Sequence, residues 1–285
     1  MTLREALRQA RETLTRNNID DAHLEAELLL RHVLGLTRAK FFARLTEELP
    51  LDRQSSFLQI MGRRLNHEPT AYITGHKEFF GLDFHVDRRV LIPRPETELM
   101  VEKALEFART RFSESCLVAD IGTGSGAVAV SLAVHLSQAT IFATDVSNDA
   151  LEVAALNCRR HGVESRVKLL PGDTVSPLPE PVHIMTANLP YVTDGDLAEL
   201  APEVRCWEPL QALAGGRDGL DTTRDFLSKA SHHIRPDGVI LMEMNPEQRE
   251  ALGEIAQHNF ARARMEVARD LAGLDRLLIL GLGTS

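Results

Sequence analysis

The stretch that decides the fold is Val118-Ala119-Asp120-Ile121-Gly122-Thr123-Gly124-Ser125-Gly126-Ala127. An apolar strand pattern here runs into a turn with three glycines, and a helical pattern follows over residues 127–136. Glycine adopts positive φ at little cost and lets a ligand approach the backbone closely. The spacing Gly-x-Gly-x-Gly differs from the Gly-x-Gly-x-x-Gly of pyrophosphate-binding loops. The stretch therefore predicts a strand, a ligand-binding loop and a helix, and it leaves the ligand open.

Strand and helix patterns alternate on both sides of this loop. The apolar runs predict strands at 116–121, 140–145, 166–170, 182–187, 238–244, 263–268 and 275–280. Helical patterns fill most of the gaps, at 96–109, 127–136, 147–160, 219–234 and 246–258. Such alternation is typical of a largely parallel sheet covered by helices on both faces, with ligands at the carboxyl ends of the strands. We therefore predict an α/β, Rossmann-like domain over residues 91–285.

Residues 1–69 carry helical periodicity and predict a small helical bundle. Its four helices have apolar positions at Leu3, Leu7, Ala10 and Leu14; at Leu24, Leu28, Val33 and Leu34; at Phe41, Phe42 and Leu45; and at Phe57, Leu58, Met61 and Leu65. We expect Asp20-Asp21 to cap the second helix and Gly35 to end it. Residues 70–90 change period, since Phe80, Leu82, Phe84 and Val86 alternate with polar residues and glycine. This interval predicts a β-hairpin linker.

The charge of the chain argues against a nucleic-acid partner. The formal net charge is −9 at pH 7 and the sequence pI is about 5.7, so no overall basic surface attracts a phosphate backbone. Basic residues are denser towards the N-terminus, up to Arg63 and Arg64, but acidic residues interleave with them. We interpret these basic residues as a solvated helical surface.

Cysteine and histidine spacing predicts no metal site. Cys116, Cys158 and Cys206 lie in no metal-ligand spacing, and the histidines form no His-Glu-x-x-His pattern. We expect reduced, buried thiols. No apolar run approaches the roughly 18 residues of a membrane span, and no apolar signal core follows Met1. We therefore expect a cytoplasmic protein without a membrane anchor, and we take a monomer as the default.

Carboxylates that follow two later strands identify the class of ligand. Asp145 ends the strand after the glycine loop, about twenty residues beyond the last glycine, which suits a carboxylate that accepts hydrogen bonds from ribose hydroxyls. The alternative role of Asp145, as the cap of the next helix, is available to Ser147 instead. Asp173 and Thr174 follow the third strand, where they can bind an adenine amino group and line the base. With Gly122, Thr123, Gly124, Ser125 and Gly126, these residues fit S-adenosylmethionine better than NAD. We expect Asn188, further along the chain, to contact the cofactor as well.

The turn Asn188-Leu189-Pro190-Tyr191 follows a further predicted strand and carries the chemistry. The lone pair of a planar amide or aryl nitrogen is delocalised, so attack on a sulfonium methyl requires that pair to be released. Two acceptors aimed at the two N–H bonds orient the nitrogen and stabilise the positive charge that develops on it. The Asn188 side-chain oxygen and the Leu189 carbonyl can supply this pair, and Tyr191 can stack on the planar group. Pro190 biases Leu189 towards extended backbone.

Beyond these residues, most of the chain resembles the protein-(glutamine-N5) methyltransferases of peptide-chain release factors, the HemK/PrmC type. The similar segments are 68–75 with Glu78-Phe79-Phe80, 91–98 (Leu-Ile-Pro-Arg-Pro-Glu-Thr-Glu), Glu208-Pro209 with 212–220, and 269–276. The resemblance implies a class I S-adenosylmethionine-dependent methyltransferase domain that yields S-adenosylhomocysteine. It also implies that the substrate is the glutamine of the Gly-Gly-Gln motif of a bacterial release factor, held by residues 188–191, and that the helical domain helps to bind the factor.

Two other functions stay open on the residues alone. Asn-Leu-Pro-Tyr also resembles the turn of methyltransferases that act on adenine N6 in ribosomal RNA, although Asp194, Asp196, Glu199 and Glu203 make its surroundings acidic. A non-catalytic module that binds release factors is the other alternative. An intact Asn188 with Asp145 speaks against it, because a structural scaffold has no need of both. In related turns the position of Leu189 is commonly proline, so some rigidity is lost here while the carbonyl is kept.

Overall fold

The computed structural model describes residues 1–112 and 115–283. The chain forms two compact units. One contains Met1–His76 with Ala201–Trp207, and the other contains Lys77–Leu200 with Glu208–Ser285. The first unit therefore includes a short segment that is distant in sequence from the rest of it.

Eleven α-helices and nine strands are assigned within the described residues. The helices are α1 Leu3–Arg16, α2 Ala22–Leu34, α3 Arg38–Ala43, α4 Leu51–Leu65, α5 Thr70–Thr74, α6 Glu98–Phe107, α7 Ala127–His135, α8 Asn148–His161, α9 Pro202–Arg205, α10 Asp221–Ala230 and α11 Arg249–Asn259. The strands are β1 His76–Phe79, β2 Leu82–His85, β3 Leu117–Ile121, β4 Thr140–Asp145, β5 Val167–Pro171, β6 Val182–Ala187, β7 Ile234–Glu243, β8 Arg264–Arg269 and β9 Asp275–Gly281. Single 3-10 turns occupy Pro95–Thr97, Asp196–Ala198, Leu210–Ala212 and Pro246–Gln248, and a π-helical turn occupies Ala108–Phe112.

The N-terminal residues form a helical bundle with its own apolar core, as predicted. Helix α1 begins with a capping box in which Thr2 and Glu5 bond each other's backbone N–H groups; such a cap satisfies donors that a helix start leaves unpaired. Gly35 ends α2 at φ 63°. The buried residues of the bundle include Leu3, Leu7, Ala10, Leu14, Leu29, Leu30, Phe41, Phe57 and Met61.

Several predictions for this unit are wrong in detail. Leu24 is 49% exposed and Leu58 is 71% exposed, so neither lies on the buried face of its helix. The Asp21 side chain makes no capping hydrogen bond at the start of α2. Arg64, interpreted as solvated, is only 1% exposed, and the carboxylates of Glu25 and Glu203 pair with it.

The hairpin is shorter than the predicted 70–90 interval. Residues Thr70–Thr74 are helical, and only β1 and β2 pair as a two-stranded sheet. Phe79 and Phe84 are its buried aromatic residues, and their rings meet edge to face with centroids 6.1 Å apart. Phe80 lies in the turn at φ 52°. The buried aromatic residue of the first strand is therefore Phe79 and not Phe80 as the alternation predicted.

The central sheet has seven strands in the order β5-β4-β3-β6-β7-β9-β8. Strands β3 to β7 are mutually parallel, whereas β9 runs antiparallel to both β7 and β8. The predicted α/β, Rossmann-like class is confirmed. The strand order reverses between β3 and β6, which is where ligands bind in open sheets of this kind. Among the described residues, no helix combines the length and apolar character needed to cross a membrane.

Candidate active site

The carboxyl ends of β3, β4, β5 and β6 surround a cavity of about 300 Å³. Of the residues predicted from sequence, the cavity is lined by Gly122, Gly124, Asp145, Asp173, Thr174, Asn188, Leu189 and Pro190. Thr123, Ser125, Gly126 and Tyr191 lie outside this lining. Residues that sequence reasoning did not single out, such as Arg89, Val146 and Thr222, also line it. The structure therefore brings the glycine loop and the Asn188 turn to one cavity.

The glycine loop approaches the Asn188 turn closely. Gly122 has φ 71° and Gly124 has φ 54°, a conformation that residues with a Cβ rarely adopt. A Cβ on Gly122 would lie 3.3 Å from Leu189 Cδ2. The backbone N–H groups of Gly122 and Thr123 both donate to the Thr144 carbonyl at 2.9 Å. The loop is thus fixed against β4 on one side and contacts the turn after β6 on the other.

Asp120 supports the loop from within the core. Its two carboxylate oxygens accept hydrogen bonds from the hydroxyls of Thr123, at 2.6 Å, and Thr186, at 2.8 Å. Burial raises the pKa of Asp120 to about 6, against the hydrogen bonds, which lower it. Thr123 therefore has a structural task and contributes no side chain to the cavity lining.

Asp145 is oriented by backbone donors at the end of β4. Gly124 N–H donates to its Oδ2 at 2.9 Å, and Ser147 N–H donates to its Oδ1 at 2.9 Å. The side chain of Ser147 caps α8 by accepting from Ala150 N–H at 3.1 Å. Burial raises the pKa of Asp145. Each carboxylate oxygen has a further lone pair for a ligand hydroxyl, and helix capping does not require Asp145.

Asp173 and Thr174 differ in their surroundings. Asp173 is exposed and forms an ion pair with Lys229 Nζ at 3.3 Å. Thr174 is buried at φ 44°, and its carbonyl accepts from the Thr144 hydroxyl at 2.9 Å. Among the described residues, the buried Thr174 hydroxyl has no hydrogen-bond partner. A buried hydroxyl without a partner is costly, so its position in the cavity lining suits a bound polar ligand.

Asn188 is held by a chain of side chains from distant parts of the sequence. Its Nδ2 donates to Thr97 Oγ1 at 3.1 Å, and the Thr97 hydroxyl donates to Glu243 Oε2 at 2.6 Å. Leu189, which follows, is buried. Burial raises the pKa of Tyr191 to about 12, and the nearby negative charge of Glu243 acts in the same direction. The phenol of Tyr191 therefore stays neutral at physiological pH.

A glycine-rich segment supports the backbone just after Asn188. Val192 N–H donates to the Leu213 carbonyl at 3.0 Å, and Gly215 N–H donates to the Val192 carbonyl at 2.8 Å. The Gln248 amide donates from Nε2 to the Tyr191 carbonyl at 3.0 Å. A Cβ on Gly219, at φ 75°, would overlap the Tyr191 carbonyl. These contacts fix the path of the Asn188 turn.

Sequence reasoning missed Thr97, Glu243, Gln248 and Glu208 as parts of the site. Glu208 is buried, accepts from Ile92 N–H at 3.1 Å and pairs with Arg94 at 2.5 Å. It thereby fixes the segment that leads to Thr97. Thr97 and Glu208 lie in segments that resemble the family, which was one available signal. Glu243 stands in an apolar stretch, and buried charged groups are normally paired.

The three cysteines differ in their exposure. Cys116 and Cys158 are buried, and burial raises the pKa of both thiols to about 11. Cys206 is exposed, so the expectation of three buried thiols is wrong at that position. Within residues 1–112 and 115–283, no group of three or more His, Cys, Asp or Glu side chains is arranged to hold a metal ion.

Two family models match the chain, one in its N-terminal part and one further along. A family model described as the PrmC N-terminal domain matches residues 5–75, and one described as ribosomal protein L11 methyltransferase matches residues 96–204. Among solved structures, the 16S rRNA methyltransferase RsmC of T. thermophilus, in complex with AdoMet and guanosine, has a TM-score of 0.52. It shares 16% identity and covers 73% of this chain and 50% of its own. This likeness shows the fold alone.

Curated relatives match almost from end to end. The release factor glutamine methyltransferase of Moorella thermoacetica is 43% identical over 280 residues, 98% of each chain. That of Nitratidesulfovibrio vulgaris is 38% identical over 282 residues, 97% of this chain and 94% of its own. With this identity over nearly their full lengths, the chain belongs to the family of release factor glutamine methyltransferases.

Proposed function

We propose that the protein transfers a methyl group from S-adenosylmethionine to the side-chain N5 of a glutamine in a peptide-chain release factor. The glutamine is that of the Gly-Gly-Gln motif, which acts in translation termination. The observation that carries the proposal is a single cavity that joins Gly122, Asp145 and Thr174 to Asn188 and Leu189. One wall of it suits a nucleoside, and the other wall suits a planar amide.

The residues at the nucleoside wall fit S-adenosylmethionine. Asp145 would accept from ribose hydroxyls, the open backbone of Gly122 and Gly124 would lie against the amino-acid part, and Asp173 and Thr174 would bind the adenine. The unpartnered Thr174 hydroxyl supports this fit, because a polar ligand would satisfy it. A volume of about 300 Å³ is at the lower end of the usual range for small-molecule sites. When bound, the cofactor supplies an electrophilic methyl group, and S-adenosylhomocysteine is the product.

The Asn188 turn would act on the glutamine amide. Asn188 Oδ1 and the Leu189 carbonyl would accept hydrogen bonds from the two N–H groups of the amide. They would hold its nitrogen in line with the methyl group and stabilise the charge that develops on nitrogen. Transfer forms the N–C bond, breaks the C–S bond and releases one N–H proton to solvent. Tyr191 would stack on the amide plane, and as a neutral phenol it would add no charge there.

We further propose that the helical domain, residues 1–69, contributes to release-factor binding and that residues 70–90 link it to the methyltransferase domain, residues 91–285. A monomer in the cytoplasm fits a substrate of the translation machinery. The match of residues 5–75 to a domain named for this family supports a role tied to the substrate.

The proposal is tested with purified protein, methyl-labelled S-adenosylmethionine and a full-length bacterial release factor. The matched control is the same factor with its Gly-Gly-Gln glutamine changed to alanine. We expect label on the unaltered factor alone. Label on neither factor, with cofactor binding confirmed by calorimetry, would overturn the proposed substrate. Label on added ribosomal RNA would favour adenine methylation instead.

A further inference from the structure

The donor end of the Asn188 amide is occupied within the protein. Asn188 Nδ2 donates to Thr97 Oγ1 at 3.1 Å, and Thr97 Oγ1 donates to Glu243 Oε2 at 2.6 Å. Thr97 is 5% exposed and Glu243 is 7% exposed. Water therefore has little access to this chain of hydrogen bonds, and its members depend on one another.

With Glu243 as the acceptor for the Thr97 hydroxyl, the direction of the other bond in the chain follows. An ionised carboxylate only accepts hydrogen bonds, and a hydroxyl has one proton to donate. Since the Thr97 hydroxyl donates its hydrogen bond to Glu243, its oxygen can only accept a hydrogen bond from Asn188. The NH₂ end of the Asn188 amide must therefore face it. The Asn188 Oδ1 must then point to the other side of the amide plane. The assignment of the two amide atoms thus follows from the network.

The charges around Glu243 come from several segments. Burial raises its pKa, while the hydrogen bond from Thr97 and the positive charges of Arg276 and Arg94 lower it; Glu96 acts with burial. Arg276 is itself paired with Asp270 at 3.1 Å, and Arg94 with Glu208 at 2.5 Å. These cations and the Thr97 hydroxyl oppose the effect of burial, which is the largest influence and leaves the pKa of Glu243 above its ordinary value.

We propose that Thr97 and Glu243 are positioning residues, which hold the Asn188 amide with its Oδ1 towards the methyl acceptor. This inference rests on the proposed function of Asn188 as an acceptor for the glutamine N–H. Without Thr97, the amide can turn over and present its NH₂ group to the substrate NH₂ group. Two donors would then face each other, and the acceptor pair at the nitrogen would be incomplete.

The test compares Thr97→Val, which keeps the shape and removes the hydroxyl, with Thr97→Ser, which keeps the hydroxyl. We expect kcat with the release factor to fall about 10- to 100-fold in Thr97→Val, as when a group that orients a catalytic residue is lost. The dissociation constant for S-adenosylmethionine should stay within about twofold, because Thr97 and Glu243, which form the relay to Asn188, do not line the cavity. Thr97→Ser should recover most of the rate. A purely structural role would lower the unfolding temperature without this selective loss of kcat and its rescue.

A second readout does not depend on activity. In the free protein, the side-chain NH₂ signal of Asn188, identified by its absence in Asn188→Ala, should shift in Thr97→Val and keep its position in Thr97→Ser. If Thr97→Val fails to fold, Thr97→Ala serves in both measurements. An unshifted signal, or equal rates in the Val and Ser variants, would overturn the relay. Absence of methylation by the unaltered enzyme would instead overturn the proposed function, while the NMR comparison still decides the relay.

Discussion

At the scale of single residues, Asn188 is the side chain whose loss should stop the reaction. Asn188→Ala removes one of two acceptors for the substrate amide, and loss of one such preorganised group typically costs on the order of 10²- to 10³-fold in kcat. Cofactor binding should be largely intact, because Asp145 and the glycine loop are unchanged. Single-turnover methylation and calorimetry measure the two effects. Near-normal turnover of this variant would show that the two-acceptor mechanism is wrong.

Asp120 provides a prediction about pH and stability. Its pKa in the folded protein is about 6, above the ordinary value near 3.9, so the folded state binds its proton more tightly than the unfolded state does. Its contribution to stability is therefore greatest at low pH and falls as pH rises through this range. A shift of about two units corresponds to about 3 kcal/mol in all, of which about 1.4 kcal/mol is lost between about pH 5 and pH 7.5.

Asp120→Asn removes this titration and keeps the shape of the side chain. Urea unfolding at the two pH values should show a drop in unfolding free energy that is smaller in the variant than in the unaltered protein by about 1 to 1.5 kcal/mol. Comparison of the two proteins cancels the contributions of other titrating groups. Identical pH dependence of the unfolding free energy in both proteins would mean that burial does not shift the pKa of Asp120.

The same residues show how far sequence reasoning reaches. Asp145 and Asn188 could be identified from the sequence because each follows a predicted strand and lies in a short motif whose side chains indicate a specific role. Thr97 and Glu243 were not assigned a role, since they meet Asn188 only through the folded sheet, 91 residues away in the case of Thr97. Tyr191 and Ser125 were predicted to bind ligands, yet they lie outside the cavity lining. Motifs identify a loop, whereas the structure decides which of its side chains face the ligand.

At the scale of elements, the glycine-rich segment behind the Asn188 turn should be essential to activity. Gly219→Ala introduces a methyl group that overlaps the Tyr191 carbonyl and Gln248 Nε2. Gly162→Ala is the matched control, because Gly162 also has positive φ, at 65°, but a Cβ there would meet no heavy atom of the described structure within 4 Å. Both changes should cost about 1 to 2 kcal/mol of stability through backbone strain.

Only Gly219→Ala should also displace the catalytic turn. We expect it to lower kcat on the order of 10²-fold, as small misplacements of catalytic groups do, while Gly162→Ala stays near full activity. Thermal unfolding and methylation rates of the two variants separate strain from displacement. Equal activity of both would mean that the 215–219 segment does not control the turn.

Element positions were largely predictable, and the errors have physical causes. Strand β4 matches the predicted 140–145, because a strand buried on both faces stands out as a continuous apolar run. In α4 the buried stripe is Phe57, Ile60, Met61 and Arg64, a true i, i+3, i+4, i+7 series that leaves Leu58 outside. The stripe contains a charged residue, and composition alone assigns arginine to the surface. Its partner Glu203 lies 139 residues later, beyond any local pattern.

At the scale of the whole molecule, the chain leaves the methyltransferase unit after Leu200 and returns to it at Glu208. The intervening residues, Ala201–Trp207, belong to the helical unit and contain α9. This segment begins ten residues after Tyr191 and is followed by Glu208. The Glu208 carboxylate fixes the segment before Thr97 through Ile92 and Arg94. The chain between the Asn188 turn and Glu208 therefore includes residues that belong to the helical unit.

The pair between Arg64 Nη2 and Glu203 Oε2, at 2.6 Å, should hold that segment to the helices. Glu203→Ala removes the carboxylate, and Arg64 keeps Glu25 as its partner, so the bundle itself should stay folded. The freed segment should open more often, and trypsin should cleave after the exposed Arg205 several-fold faster, because proteolysis follows local opening. Glu199→Ala is the matched control, since Glu199 is exposed and has no ion-pair partner in the described part of the chain. Equal cleavage rates in the two variants would show that the ion pair does not tether Ala201–Trp207, and the packing of α9 would then have to hold it.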